Sequence, residues 1–388
     1  SSLTFRVSYS LTGTPPDASY CNALTKLSMN TPYRPTTTDK ELGFVVAALG
    51  NDELTYEKKH EFNFGVDAGF FNNRLNVTFD VYQRRNFDEI APTVTQLYGT
   101  AYANVGSMKS WGEELSISST NVKTNDFSWQ TSLIYSHNRT EITDLYNQGR
   151  VIDLVQGNGF AKQGYPARAL FSIPFVGINE KGNPVCINEK GQATVGDLNF
   201  QERDNTDYLI YEGSTDPIYN GSLGNTFNYK GFHLNLFLTY AFGNVVRLDP
   251  VFKAKYNDLT SMTHDFKNRW MQPGDENVTN VPGVVSRYEY EQNRTLLSTA
   301  YNAYNYTSVR TAKGDFIRLK EISLAYDFPH RWLENSPVNN ISLKLQATNL
   351  MLLYADKKLN GQDPEFMNAG GVASPMPKQF TLTLKLGL

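Results

Sequence analysis

Long hydrophobic runs are absent from this 388-residue sequence, and cysteine is nearly so. No stretch approaches the roughly 18 to 20 consecutive apolar residues that a membrane-spanning helix needs, so such a chain could cross a bilayer only with strands. Its two cysteines, Cys21 and Cys186, exclude a Cys-rich zinc site and allow at most one intramolecular disulfide. An excess of one charge is missing too. The 36 Lys and Arg stand against 39 Asp and Glu, for a formal net charge of -3, and the basic residues are scattered, which argues against nucleic acid as a partner. His60, His137, His233, His264 and His330 are isolated, with no paired metal spacing, and no nucleotide-binding glycine loop or nucleophile elbow is present. No Pro/Gly/Ser-rich linker divides the chain, so one continuous architecture over 1–388 is expected. The sequence opens at Ser1 without a leader, so any export signal is expected to have been removed or to lie in a segment outside it.

What is present is aromatic character and strict alternation. Aromatics make up 13% of residues, with 23 Tyr and 23 Phe, yet the mean hydropathy is -0.44. That combination suits a barrel with a lipid-facing exterior and a wet lumen. Successive side chains of a strand point to opposite faces, so period-two alternation marks strands. Leu3, Phe5, Val7, Tyr9 and Leu11 alternate with Thr4, Arg6, Ser8 and Ser10. Phe62, Phe64, Val66, Ala68 and Phe70 do the same, then Leu75, Val77, Phe79 and Val81. Further strands are predicted near 103–120, 126–140, 217–229, 232–246, 314–328, 339–353 and 377–388, ten in all. Each suits the roughly 9 to 11 residues a tilted strand needs to cross a bilayer.

The connections alternate as well. Long ones at 13–56, 88–102, 141–216, 247–313 and 354–376 are interleaved with short ones at 72–74, 121–125, 230–231 and 329–338. Short turns on one side and long loops on the other are the pattern of an outer-membrane barrel, with long loops outward and both termini on the periplasmic side. A soluble β-sandwich also alternates but seldom needs loops of about 70 residues.

Several side chains are candidates for chemistry. Arg6, Glu61, Asp67, Asp80, Arg84, Lys344 and Lys385 fall on inward faces, where they line the lumen or hold a domain inside it by ion pairs. Tyr98, Tyr102, Trp270, Tyr288, Tyr290, Tyr301, Tyr304 and Tyr306 lie in long connections and could stack on sugars or pack on peptides. Arg318 and Lys320 stand at the outer end of their strand, where they meet lipopolysaccharide phosphates unless a bulge turns them inward. The acidic loop 202–207 offers oxygen ligands for Ca2+, although a solvated loop explains it as well. Neighbouring carboxylates such as Asp204 and Asp207, or Glu113 and Glu114, have no fixed glycosidase separation, and no enzyme is expected.

Specific stretches add a resemblance. Asn104-Val105-Gly106-Ser107-Met108 with Trp111-Gly112-Glu113-Glu114-Leu115; Phe266-Lys267-Asn268-Arg269-Trp270 with Pro273-Gly274-Asp275; Phe316-Ile317-Arg318-Leu319-Lys320 through Phe328-Pro329; and Thr348-Asn349-Leu350 with Gly361-Gln362-Asp363-Pro364-Glu365 occur in this order. Together they resemble the SusC/RagA family of TonB-dependent outer-membrane transporters of Bacteroidetes. The resemblance implies the C-terminal part of a 22-stranded barrel whose plug and earlier strands are not in this sequence. It also implies uptake of oligosaccharides or oligopeptides, a SusD-like surface lipoprotein closing over the loops, and energy from TonB-ExbB-ExbD. No resident cofactor is implied. The alternative is a plug-free adhesion or structural barrel of about ten strands.

Overall fold

The computed structural model describes residues 2–387 other than 19–20, 22–23, 35–37, 49, 96–98, 147, 257–258, 260, 335–336 and 368–376. Ten long strands follow one another in a single antiparallel sheet: β1 (Ser2–Thr14), β2 (Glu57–Phe70), β3 (Leu75–Thr95), β4 (Gly99–Lys123), β5 (Phe127–Leu145), β6 (Tyr219–Tyr229), β7 (Phe232–Phe242), β8 (Phe316–Asp327), β9 (Asn340–Ala355) and β10 (Gln379–Gly387). Sheet order equals chain order, so every strand pairs with its predecessor and successor. This is the wall of an all-β, transmembrane antiparallel barrel. Among the described residues no helix is long and apolar enough to cross a membrane.

Register sorts the two faces as alternation predicts. Tyr219, Leu223 and Phe227 stand opposite Phe242, Leu238 and Leu234, while Ser222, Thr226 and Asn228 stand opposite Thr239, Asn235 and His233. One face of the wall is therefore hydrocarbon and the other polar. The short turns are built from residues that accept a left-handed backbone. Lys230 and Gly231, at φ 45° and 88°, join β6 to β7, and Phe71, Asn72 and Asn73 between β2 and β3 all have positive φ. The two-residue turn at Lys230–Gly231 matches the twist of the strands it connects, and residues 71–74 make a four-residue turn.

The sheet is open. Among the described residues β1 pairs only with β2 and β10 only with β9, whereas a free-standing ten-strand barrel would pair β1 with β10. Every residue of β1 is exposed.

One expected loop is not a loop. Residues 88–102 mostly continue β3 and β4, which pair from Leu75↔Ser119 out to Thr95↔Gly99 with register shifts at Asn86 and Glu89. The shifts absorb the irregular Asp88, whose φ is 56°, and let the β-branched Ile90, Thr93, Val94 and Thr95 extend the ladder.

Connections 146–218 and 248–310 fold together into a body at the end of the wall opposite the short turns, the outer end in the expected orientation. α1 (Val151–Val155), α2 (Arg287–Gln292), α3 (Arg294–Asn305) and several short strands supply its elements. Val151, Leu154, Val155, Phe171, Ile173, Cys186 and Leu209 of the first connection share a core with Ala303 of the second. Each large apolar side chain buried this way contributes about 1.5–3 kcal/mol. A second core of Ala254, Leu297, Ala300 and Tyr301 seats α3.

Candidate functional site

On the polar face of β1–β3, the predicted lumen residues come together as ion pairs. Arg6 Nε donates to Asp67 at 2.7 Å and Arg6 Nη2 to Asp80 at 3.1 Å, while the Thr78 hydroxyl donates to Asp67 at 3.0 Å. Gly65 makes the arrangement possible, because a Cβ there would sit 2.5 Å from an Asp80 oxygen and 2.7 Å from Arg6 Nη2. Toward the outer end, Glu61 meets Arg84 at 3.0 Å and Lys59 at 2.9 Å. Across the sheet Lys344 lies 3.9 Å from Glu321, and Lys385 stands in register with Ser342 on the same face. These pairs are substantially exposed, so solvent screens their attraction. Their main effect is to keep the inner wall polar with its charges balanced.

The aromatics nominated as solute contacts divide sharply. Tyr304 and Tyr301 are buried, at 2% and 1% exposure, which corrects the expectation that they face a solute. Tyr304 packs edge-on against Phe175 and Phe252, and Tyr301 donates to the Gly283 carbonyl at 2.6 Å. Alternation cannot foresee this, because both rings ride the inward stripe of α3. Trp270 is half-buried, its ring over Gly182 and Gly283 and its Nε1 donating to Glu276 at 3.0 Å. Tyr306 packs on Phe200 within the outer body, and Tyr102 is half-buried, its carbonyl accepting from Asn51 at 2.8 Å. Tyr98 lies outside the described residues. Tyr288 is 79% exposed, and Tyr290 edges a cleft of about 330 Å³ with Lys255, Ser298, Asn302 and Asn305. Lys255 Nζ sits 5.7 Å from the Tyr290 ring centre, leaving an aromatic face beside amide and hydroxyl groups.

Two arginines that organise the outer end carry chemistry the sequence reading missed or misplaced. Arg247, just beyond β7, was not singled out at all. It is 5% exposed and donates to the Thr307 and Phe171 carbonyls at 2.7 and 2.6 Å and to Ser172 Oγ at 3.0 Å, tying both connections to the wall. Burial lowers its pKa to about 10, so it remains charged at neutral pH.

Arg318 was expected outside, against lipopolysaccharide. It is instead buried and paired with the equally buried Asp363. Register explains the reversal. A bulge at Lys320 lets Phe237 and Leu238 of β7 face Glu321 and Leu319 of β8, so one residue drops out of alternation and Arg318 turns inward. Arg318 Nε faces Glu365 at 3.2 Å without hydrogen-bond alignment. The strand motif Phe316–Lys320 and the loop motif Gly361–Glu365 are thus one structural unit, and Gln362 extends it to Asp249 at 3.0 Å.

The loop 202–207 is arranged as a turn. The Glu202 carboxylate accepts backbone N–H groups of Asn205, Asp204 and Arg203, which holds it below the usual carboxylate range, and Asp207 pairs with Lys162 at 3.0 Å. Among the described residues no three His, Cys, Asp or Glu side chains converge as a metal site.

The cysteines are both free, Cys21 exposed and Cys186 buried. Burial raises the Cys186 thiol to about 12. A charged maleimide should therefore label Cys21 and leave Cys186 unmodified until the protein is denatured, as peptide mass mapping would read. Fast native labelling of Cys186 would mean that the outer body opens.

No family model matches the chain. It is 25% identical to the TonB-dependent receptor P3 of Formosa agariphila over 385 residues, covering 93% of this chain and 35% of that protein. It is 26% identical to the TonB-dependent receptor SusC of Bacteroides thetaiotaomicron over 356 residues, covering 87% of this chain and 32% of that one. The chain is SusC-like over nearly its whole length. It spans about a third of the length of these curated relatives. A solved structure of the RagAB peptide transporter shares the fold, with a TM-score of 0.75 and 24% identity over 100% of this chain and 40% of that one. Within the SusC-like frame the motif residues acquire physical roles. Asn104 fixes connection 15–56 through Thr55, Gly112 leaves room for the buried Tyr82, and Arg318 clasps Asp363.

Proposed function

We propose that the chain is part of an outer-membrane TonB-dependent importer, taking up oligosaccharides, with oligopeptides as the other cargo class. The observation that carries this reading is the SusC-like match over nearly the whole chain, joined to an open wall of ten strands with a polar inner face. In this reading β1 and β10 pair with strands outside the 388 residues, and a plug within the completed barrel meets Arg6, Asp67, Glu61 and Arg84. Energy enters through TonB-ExbB-ExbD acting on that plug. The chain's own residues bind and guide a solute and perform no covalent step.

The outer body is the place for a SusD-like lipoprotein lid. It is packed and folded rather than a slack loop, yet Met271, Val278, Val284 and Tyr288 protrude from it at 64%, 84%, 51% and 79% exposure. Exposed apolar and aromatic residues on a firm support are what a partner surface requires. In the full-length transporter, Val278→Asp with Tyr288→Asp should reduce lipoprotein copurification and uptake roughly tenfold, about 1.4 kcal/mol, while heat-modifiability stays normal. Unchanged copurification and uptake would remove the lid from this surface. Cargo class is read by mass spectrometry of ligand retained on the purified transporter. Oligosaccharide masses support the leading reading, and peptide masses select the other.

A further inference from the structure

The lipid-facing side of β2–β5 is not apolar to its outer end. Below, the register rows are Phe64, Val81, Glu113 and His137, then Val66, Phe79, Leu115 and Tyr135. Above, register places His60 beside Arg85, Arg85 beside Lys109, and Trp111 beside Arg139. All lie on the same face as Phe62 and Leu115, because each is an even number of residues from them along its strand. Tyr9, Phe87, Trp111 and Tyr219 edge this zone, the position of an aromatic girdle between hydrocarbon and water.

The charges in the zone do not balance. Lys109 is paired with Glu141 at 3.0 Å and Lys58 with Asp88 at 2.7 Å, while His60 meets the Tyr9 hydroxyl at 2.6 Å. Glu113 lies one step further into the membrane, opposite His137. Arg85 and Arg139 are exposed and have no carboxylate partner among the described residues, and Arg139 lies 5.9 Å from the Trp111 ring centre. Beside Arg85 is a cleft of about 360 Å³ lined by Tyr9, His60, Phe62, Gln83, Arg85 and Phe87. Register puts Phe87 at its upper end, the Arg85 guanidinium and His60 imidazole in the middle, and Gln83 with the Tyr9 and Phe62 rings on its lower side, where the apolar band begins.

We propose that this face holds the phosphorylated saccharide headgroup of an acylated outer-leaflet glycolipid, with Arg85 and Arg139 pairing its phosphates and Phe62, Phe64 and Val81, which register sets below Arg85, lying against the first segments of its acyl chains. The proposal rests on the outer-membrane reading and on the long connections facing outward. A guanidinium at this depth has water on one side only, and an anion fixed at the same depth supplies the missing partner. Trp111 keeps Arg139 directed along the boundary rather than into hydrocarbon. The anionic-lipid contact expected at Arg318 and Lys320 is thereby relocated. The bulge in β8 removes Arg318 from this surface, whereas β3, β4 and β5 keep their alternation through Arg85, Lys109 and Arg139.

The test uses the full-length transporter, purified from outer membranes and reconstituted in phosphatidylethanolamine vesicles with or without lipid A. Wild type should retain lipid A through detergent exchange, and Arg85→Gln/Arg139→Gln should retain roughly thirtyfold less, the effect of two lost surface charges. Arg85→Lys/Arg139→Lys should recover most of the retention, and dephosphorylated lipid A should bind wild type no better than it binds the double-Gln variant. Equal retention by wild type and the double-Gln variant, with normal heat-modifiability in both, overturns the site while leaving the transporter reading intact. Tight binding of the dephosphorylated lipid overturns the role of phosphate. A wild-type protein that fails to fractionate with outer membranes sinks the membrane reading and the lipid site together.

Discussion

Folded into detergent on their own, these 388 residues should give oligomers and aggregates and no heat-modifiable monomer. The reason is the pair of bare edges. β1 presents 13 residues and β10 nine with one side of each backbone unpaired, and in a bilayer or micelle interior every unmet N–H or C=O costs several kcal/mol. Such edges pair with whatever strand is available, including another copy. The outward row of β1, from Leu3 at 61% to Leu11 at 65% exposure, makes that encounter more favourable. Supplying the rest of a relative-length barrel in the same polypeptide should restore a monomer that shifts on heating in gel electrophoresis. A heat-modifiable monomer from the isolated chain would show that β1 and β10 close on each other, and the part-barrel reading would fail.

Arg318→Met in the full-length transporter should release the outer segment 356–367 from the wall. The substitution leaves the Asp363 carboxylate buried without its cation, and breaking a buried pair this way costs about 3–5 kcal/mol. Asp363 also accepts the Glu365 N–H, so removing its charge rather than its oxygen is the informative second change. Arg318→Met/Asp363→Asn should recover most of the loss, because the amide retains that acceptor and no uncompensated charge remains. Protease cleavage at the cell surface is the readout: rapid in the single variant, slow in wild type and in the double variant. If the single variant resists protease as wild type does, the pair does not anchor the segment.

The ten strands were legible because a half-lipid, half-water wall imposes period two on every crossing, and the observed registers keep most of the Phe, Leu, Val and Tyr side chains on one side, with Tyr82, Phe237, Phe316 and Leu352 among the exceptions. A bulge that turns Arg318 inward was open as an alternative, but where a bulge falls was not legible. One added residue at Lys320 changes no composition, yet it reverses the side on which Arg318 stands. The extension of β3 and β4 through 88–102 was hidden by Asp88, Pro92 and Gly99, residues that usually mark loops, although Asp88 falls at a register shift, Gly99 opens β4, and Pro92 stands within the ladder opposite Tyr102. Tyr301 and Tyr304 illustrate the limit for sites. Aromatic content in a long connection signals contact with something, and only the packing of α3 shows that the something is the protein's own core. Arg247 gave no signal, since a lone arginine after a strand is ordinary until two segments bring carbonyls to it.

The outer body also bears on how the wall reaches its final position. The hairpin β6–β7 has a two-residue turn on one side, while its other ends lead into connections 146–218 and 248–310, which bury Phe171, Ile173, Cys186 and Ala303 together around Arg247. In the proposed orientation, with the long connections outward, the chain would cross the bilayer as unfolded strand and loop, because a charged arginine and a packed core could not pass through hydrocarbon in assembled form. Only after both connections have arrived on the far side can Arg247 find the carbonyls of Phe171 and Thr307. Assembly of the body then acts as a ratchet. Insertion of this hairpin becomes one-way, with folding on one side of the membrane preventing retreat to the other.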